Sequence, residues 1–203
     1  MKLEFKNLTS TGGLCNFCLQ LEVSAFTVLF DAQELLSNAV LSVLIGLDEI
    51  EHGSLLLDGV EWEEYFTSHQ LLSTFGYVFD EGIMLANLSL KENLLLPWRK
   101  RYEGANEKDW EQGIQQWLQR LELDIDLSLR PVSISAAQRK FLGYVRSLML
   151  KPQLLLIDDP YYLLSKRERA LLFNFLSGLK DEQPMLIASA DDDFSGAIAT
   201  KVV

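Results

Sequence analysis

The sequence predicts an α/β domain: a mostly parallel sheet, an antiparallel β part at the N-terminus and an inserted helical subdomain. Three observations predict it. The runs Gln153–Asp158 and Met185–Ser189 are apolar, short and without alternation, the pattern of strands buried on both faces of a parallel sheet. Strand-like and helical patterns alternate through much of the chain, which calls for a sheet covered by helices. The segment before Asp31 holds only strand-like pieces.

Taken in order, Lys2–Asn7, Leu14–Val23 and Phe26–Phe30 are expected strands, followed by a loop Asp31–Ser37 and a helix Asn38–Leu47. Val40, Leu41, Val43, Leu44 and Leu47 recur at helical spacing in that helix. His52-Gly53, Leu55–Leu57 and Asp58-Gly59 read as turn, strand and turn, Asp-Gly being a strong turn signal. A polar helix Trp62–Ser73 precedes a buried strand Phe75–Phe79. Two helices follow, Lys91–Arg101 and Asn106–Leu121, the second with an apolar stripe of Trp110, Ile114, Trp117, Leu118 and Leu121. Ser135–Leu150 is an amphipathic helix closed by Pro152, and Arg167–Leu179 is a helix between the last two strands. One domain, 1–203, is expected, with an α/β core at 1–82 and 141–203 and a helical subdomain at 83–140.

A chain of 203 residues at 48% hydrophobic is large enough for one well-buried core. Its net charge of −11 and pI near 4.6 argue against nucleic acid, whose phosphates are bound by Lys and Arg. The apolar run AVLSVLIGL is about half a spanning length, and MKLEFKNLTS has no apolar signal region; a soluble, cytoplasmic protein is expected. Cys15 and Cys18 form a C-x-x-C within a strand pattern. Residues three apart in a strand face opposite sides, and His52 and His69 lie in separate segments, so the expectation is two reduced cysteines, one buried, and no zinc site.

The segment Ile134 to Pro160 carries the most information. It resembles the ATP-binding cassettes of the ABC transporter family, where L-S-G-G-Q opens a helix and an apolar strand ending D-E-P follows. Here the signature reads Ile134, Ser135, Ala136, Ala137 and Gln138, and the strand ends Asp158-Asp159-Pro160. Arg139, Arg146 and Lys151-Pro152 also sit where that family commonly has those residues. Gly53, Leu57-Asp58-Gly59 and Gly76–Phe79 match further family positions, so the resemblance covers essentially the whole chain and implies a P-loop NTPase-like fold. The stretch Asn87–Asn93 with Pro97 is weakly similar to cassettes serving lipid and lipoprotein transporters.

Against that resemblance, the chemistry has changed. A phosphate loop G-x-x-G-x-G-K-[ST] needs glycines so that backbone N–H groups can curl around phosphate, a Lys to reach the terminal phosphates and a hydroxyl for Mg²⁺. Its positions hold Asp31, Glu34, Leu36, Ser37 and Asn38, a loop expected not to bind nucleotide. The Q-loop glutamine is Asp80, and the switch histidine is Ala190, which can neither donate to the terminal phosphate nor orient water. Asp159 stands where a Glu would polarise that water, one methylene too short. Asp158 alone keeps its family identity as a contact to Mg²⁺ through water. No aromatic stands near Thr11 or Gly12 to stack on adenine, and the C-terminus is short by at least one hairpin for the family.

The resemblance with these departures implies a catalytically degenerate cassette, a structural or regulatory subunit of an ABC transporter with ATP binding and hydrolysis lost or very weak. No cofactor is expected; Mg-ATP enters only if residual binding persists. The implied partners are a membrane permease subunit, a second cassette in a homo- or heterodimer, or both, with the chain peripheral to the cytoplasmic face of a membrane. Ser135 and Gln138 are the residues that would still serve a partner's nucleotide, although Ala136 and Ala137 bring methyl groups to where backbone must approach phosphate. Two alternatives stand beside this: a weak but genuine ATPase using Asp158 and Asp159 for metal and water and Ser37 or Asn38 for phosphate, and a non-transport interaction module that takes a partner helix beside Ile83, Met84 and Leu85.

Overall fold

The computed structural model describes residues 1–23, 26–31, 35–68, 71–198 and 201–202. Five parallel strands, β3 (Phe26–Phe30), β6 (Phe75–Val78), β7 (Leu154–Asp158), β8 (Met185–Ser189) and β9 (Lys201–Val202), lie in the order β6-β7-β8-β3-β9. A second, antiparallel sheet joins β1 (Lys2–Ser10), β2 (Phe17–Glu22), β4 (Ile50–Leu57) and β5 (Val60–Glu61) in the order β2-β1-β4-β5. This is the α/β cassette-like architecture that the sequence predicts, with both sheet types present.

The lack of alternation in the central strands has a direct cause. Leu155, Ile157, Met185, Ile187 and Val28 point into one apolar core, while Leu154, Leu156, Leu186, Ala188 and Leu29 point into another. Successive residues of a strand face opposite ways, so strands covered on both faces must be apolar throughout. The first core is closed by helices α4 (Leu90–Arg101), α5 (Glu107–Arg120), α6 (Ala136–Leu148) and α7 (Lys166–Ser177) through Leu94, Trp98, Trp110, Ile114, Phe141 and Leu172. The second is closed by α1 (Leu35–Leu44) and the antiparallel sheet, through Val40, Leu44, Phe5 and Leu55. The β4–β5 turn is formed by Asp58 and Gly59 at φ 51° and 85°, the left-handed pair that two-residue hairpins need.

Several elements depart from expectation. Helix α1 starts at Leu35, so Ser37 belongs to the helix and the expected loop is shorter. Strand β4 starts at Ile50, because β1 continues to Ser10 and pairs with it along that length. The helix expected over Trp62–Ser73 is two, α2 (Trp62–Ser68) and α3 (Leu71–Thr74), with His69 and Gln70 outside the described residues. Helix α8 (Asp192–Ile198) and strand β9 have no counterpart in the sequence reading. Both cysteines are exposed, not one: Cys15 precedes β2, and Cys18 takes the outward side of a strand whose Leu21 points inward. No helix among the described residues is long and apolar enough to cross a membrane.

Candidate functional site

The C-terminal ends of the parallel strands lie along one edge, where open α/β sheets bind their ligands. Four segments leave that edge: Asp31 after β3, Asp80 after β6, Asp158-Asp159 at the end of β7 and Ala190 after β8. Register places Asp158 beside Ala188 and Phe30 beside Ser189. The sequence positions 31, 80, 158, 159 and 190 are thus brought to one edge of one sheet.

On the β3 side, the Asp31 N–H donates to Ser189 O at 3.3 Å, and the Asp31 carboxylate accepts from the Leu36 N–H at 2.8 Å. That amide belongs to the first turn of α1, whose backbone N–H groups have no partner within the helix. An anion at a helix N-terminus is favourable, and here the chain supplies its own. Leu36 is 49% exposed, whereas Ser37 is 3% exposed with its Oγ unbonded among the described residues; Asn38 is half-buried. Glu34 lies outside the described residues. The segment 31–38 contains no Gly, Lys or Arg.

The β6–β7 side is denser. The Tyr77 hydroxyl donates to Asp158 Oδ2 at 3.3 Å, while Asp158 Oδ1 is buried without a hydrogen-bond partner among the described residues. Burial, then the neighbouring Asp80 and Asp159 charges, push the Asp158 carboxyl up to about 6. The same burial, with Asp158 beside it, pushes the Tyr77 phenol well above its ordinary value. Asp159 has φ 27°, and its carboxylate turns back to accept from the Tyr161 N–H at 3.3 Å. Burial raises its pKa and Lys140 opposes the rise. Asp80 accepts from the Glu81 N–H at 2.7 Å. Two residues on, Gly82 has φ 63°, and a Cβ there would stand 2.4 Å from the Lys140 backbone nitrogen; only glycine allows the loop after β6 to lie so close to α6.

Lys140 and Tyr77 are the residues that sequence reasoning missed. Lys140 is 1% exposed, and its ammonium donates to the carbonyl oxygens of Asp159 and Tyr162. Burial lowers its pKa to about 8, against the pull of Asp159, Asp80 and Asp158. The signal was available: Lys140 sits three residues after Ala137 and four before Tyr144, on the buried stripe of α6.

Ser135 is the N-cap of α6, its Oγ accepting from the Gln138 N–H at 3.1 Å, while Gln138 Oε1 accepts from the Ser135 N–H at 2.9 Å. The two polar signature residues form a reciprocal capping box. Ala137 is buried and Ala136 half-buried. After β8, Ala190 offers no polar side-chain atom. The following Asp191 accepts from the Phe194 N–H at 2.8 Å and meets Arg169 at 3.4 Å.

Beside these strand ends runs an apolar groove of about 400 Å³, lined among others by Tyr77, Phe79, Ile83, Leu85, Leu96 and Arg146. Ile83 and Leu85 are about half exposed, while Met84 packs against the core. The loop is held from beneath: the Arg146 guanidinium donates to Ile83 O at 2.8 Å, and the buried Asn93 side chain bonds both backbone groups of Leu85.

The chain has relatives among known proteins. A family model described as ABC transporter matches residues 39–162, beginning just after the segment 31–38. The probable ribonucleotide transport ATP-binding protein mkl of Mycobacterium leprae is 29% identical over 164 residues, covering 78% of this chain and 47% of that protein. The molybdenum import ATP-binding protein ModC of Pseudomonas fluorescens is 26% identical over 197 residues, 91% of this chain and 52% of its own length. The chain therefore spans about half the length of these two curated relatives; for the glutamine transport ATP-binding protein GlnQ of Escherichia coli, at 24% identity, the shares are 99% and 86%. Among solved structures, MJ0796, a dimeric bacterial ABC transporter cassette, superposes with a TM-score of 0.81 at 19% identity, covering 96% of this chain and 90% of the other. Subunit cbiO1 of Clostridium perfringens gives 0.77 at 16% identity, covering 98% and 82%. At such identities the structural likeness is one of fold.

Proposed function

Because this chain belongs to the ABC transporter family, we propose that it is a catalytically degenerate cassette, a structural or regulatory subunit of an ABC transporter that binds and hydrolyses ATP weakly or not at all. The observation that supports this most is the Asp31 carboxylate on the Leu36 N–H. It puts negative charge at the helix terminus where the family's phosphates would be received, in a segment with no cation. A carboxylate and a phosphate oxygen about 5 Å apart repel by roughly 3 kcal/mol at an effective dielectric near 20. By this measure the residues present do not fit Mg-ATP. The capping box of Ser135 and Gln138 likewise favours a structural role for the signature over service to a partner's nucleotide.

The relatives named as transport ATP-binding proteins support a place in a transporter. The proposed partners are a membrane permease subunit, seated on the groove beside Ile83 and Leu85, and a second cassette, identical or different, at the cytoplasmic face of the membrane. A lipid-related cargo, from the likeness of Asn87–Asn93, belongs to the same proposal. Calorimetric titration with ATP and Mg²⁺, beside an active cassette in the same buffer, tests it. Absence of heat up to millimolar ATP is expected, and micromolar binding overturns it.

A second reading, a feeble but genuine ATPase, is favoured by one observation: Asp158 Oδ1 is buried at the strand edge without a hydrogen-bond partner among the described residues. Its mark is ATP hydrolysis by the purified chain that disappears in Asp158→Asn and Asp159→Asn. A non-transport interaction module uses the same apolar groove, and recovery of the chain away from membranes with a soluble partner is its mark.

A further inference from the structure

The antiparallel sheet does not close completely over the second core. Where β2, the end of β3 and the first turns of α1 meet, a cavity of about 230 Å³ opens to the surface, lined among others by Phe17, Leu19, Leu29, Leu36, Ser37 and Val40. Leu29 and Val40 are buried, and Leu36 is half exposed. Phe17 and Leu19 pack against the second core from β2 yet stay only partly covered. The cavity is therefore an open end of that core, and its wall is largely hydrocarbon.

One polar atom interrupts the wall. A serine inside a helix ordinarily points to solvent or bonds back to a carbonyl one turn earlier. Ser37 does neither: it is 3% exposed, and its Oγ has no hydrogen-bond partner among the described residues. It is the one atom of that kind among the residues lining this cavity. Leaving a buried hydroxyl unbonded is unfavourable. A water on Ser37 would satisfy it but leave the remaining apolar space unfilled, and apolar cavities stay dry.

The same wall defines what fits. An apolar cavity of about 150 Å³ takes up benzene, so one of about 230 Å³ has room for a second ring. Phe17 and Phe30 present aromatic side chains on the lining, and ring pairs are favoured beyond their buried area. The Asp31 carboxylate, held on the Leu36 N–H, also belongs to the lining and opposes an anion.

We infer that this cavity binds a small uncharged aromatic molecule of one or two rings, whose single N–H or O–H donates to Ser37 Oγ. The inference rests on the reading of segment 31–38 as one that does not receive phosphate, and the two fail separately. Displacement of the aromatic probe by Mg-ATP would overturn that reading. Absence of probe binding in a protein that also gives no heat with ATP would sink the cavity alone.

The test uses the full chain, with indole and indene as probes: they share one two-ring frame, and only indole carries an N–H. Binding is followed by methyl NMR, with the signals of Leu19, Leu29, Leu36 and Val40 assigned. Saturable indole shifts centred on those methyls are expected, with indole bound about three- to tenfold more tightly than indene. Ser37→Ala should bring the two probes to equal affinity. Leu36→Trp, at a half-exposed position where the new ring costs the fold little, should block both. Indole-3-carboxylate should bind more weakly than indole. No saturable binding would overturn the inference, as would shifts centred on Ile83 and Leu85 in the other groove. So would an indole preference that survives Ser37→Ala, indole binding unchanged by Leu36→Trp, or indole-3-carboxylate that matches indole. If Ser37→Ala fails to fold, Ser37→Cys, a weaker hydrogen-bonding group of similar shape, takes its place and should reduce the preference; an undiminished preference counts against the inference.

Discussion

Two sides of one sheet edge have been treated differently by this sequence. On the β6–β7 side, polar groups are locked into the fold: Gly82 against α6, Asn93 under the Leu85 loop, Lys140 against the Asp159 turn and a capping box at Ser135. On the β3–α1 side, a single half-exposed carboxylate caps a helix whose first-turn Leu36 faces solvent. The comparison teaches that the parts shared with a working cassette, helix starts and loop supports, double as fold stabilisers and persist. If the chain is the degenerate cassette proposed, the segment whose sole use is phosphate has become one whose carboxylate caps a helix.

If that contrast is sound, stability should fall steeply on the first side and barely on the second. The largest loss is expected for Gly82→Ala, where φ 63° and a backbone nitrogen 2.4 Å from the new Cβ leave no room to relax; about 3 kcal/mol or more in urea denaturation. Asn93→Ala leaves the Leu85 N–H and carbonyl without their buried partners and should cost roughly 2–3 kcal/mol. Ser135→Ala removes one half of the capping box and should cost about 1 kcal/mol. Asp31→Ala should cost less than that, since its cap is half-exposed. A larger loss at Asp31 than at Ser135 would break the comparison.

Asp158 sharpens it by pH. Its folded pKa, pushed up to about 6 from 3.8, means the folded state holds a proton that the unfolded state has released. The contribution is therefore favourable at low pH and is lost as pH rises from about 4 to about 6. Urea midpoints across that window should show this downward slope in the wild type and a flatter profile in Asp158→Asn. An unchanged slope would place the effect elsewhere.

Much of this frame was legible before any coordinates. Phe26–Phe30 and Met185–Ser189 occur as strands with the expected bounds, because apolar runs of only five residues are too short for a buried helix and suit strands covered on both faces. Helix α8 was not legible, because Asp192–Ile198 is short and has no long apolar stripe. The early start of α1 was missed for a related reason: its cap comes from Asp31, five residues before the amide it holds, beyond the reach of local capping rules. The box at Ser135–Gln138 was legible as S-x-x-Q but was read for nucleotide instead.

The sequence by itself determined the class of fold and the positions at which its residues differ from the family's motifs, since both follow from local residue type and spacing. Only the tertiary structure decided what now occupies those positions. That Lys140 turns to the carbonyl oxygens of Asp159 and Tyr162, and Tyr77 to the Asp158 carboxylate, depends on distances between segments remote in the chain. Charges interact through space with an energy set by separation and burial, and neither quantity is written in the order of residues.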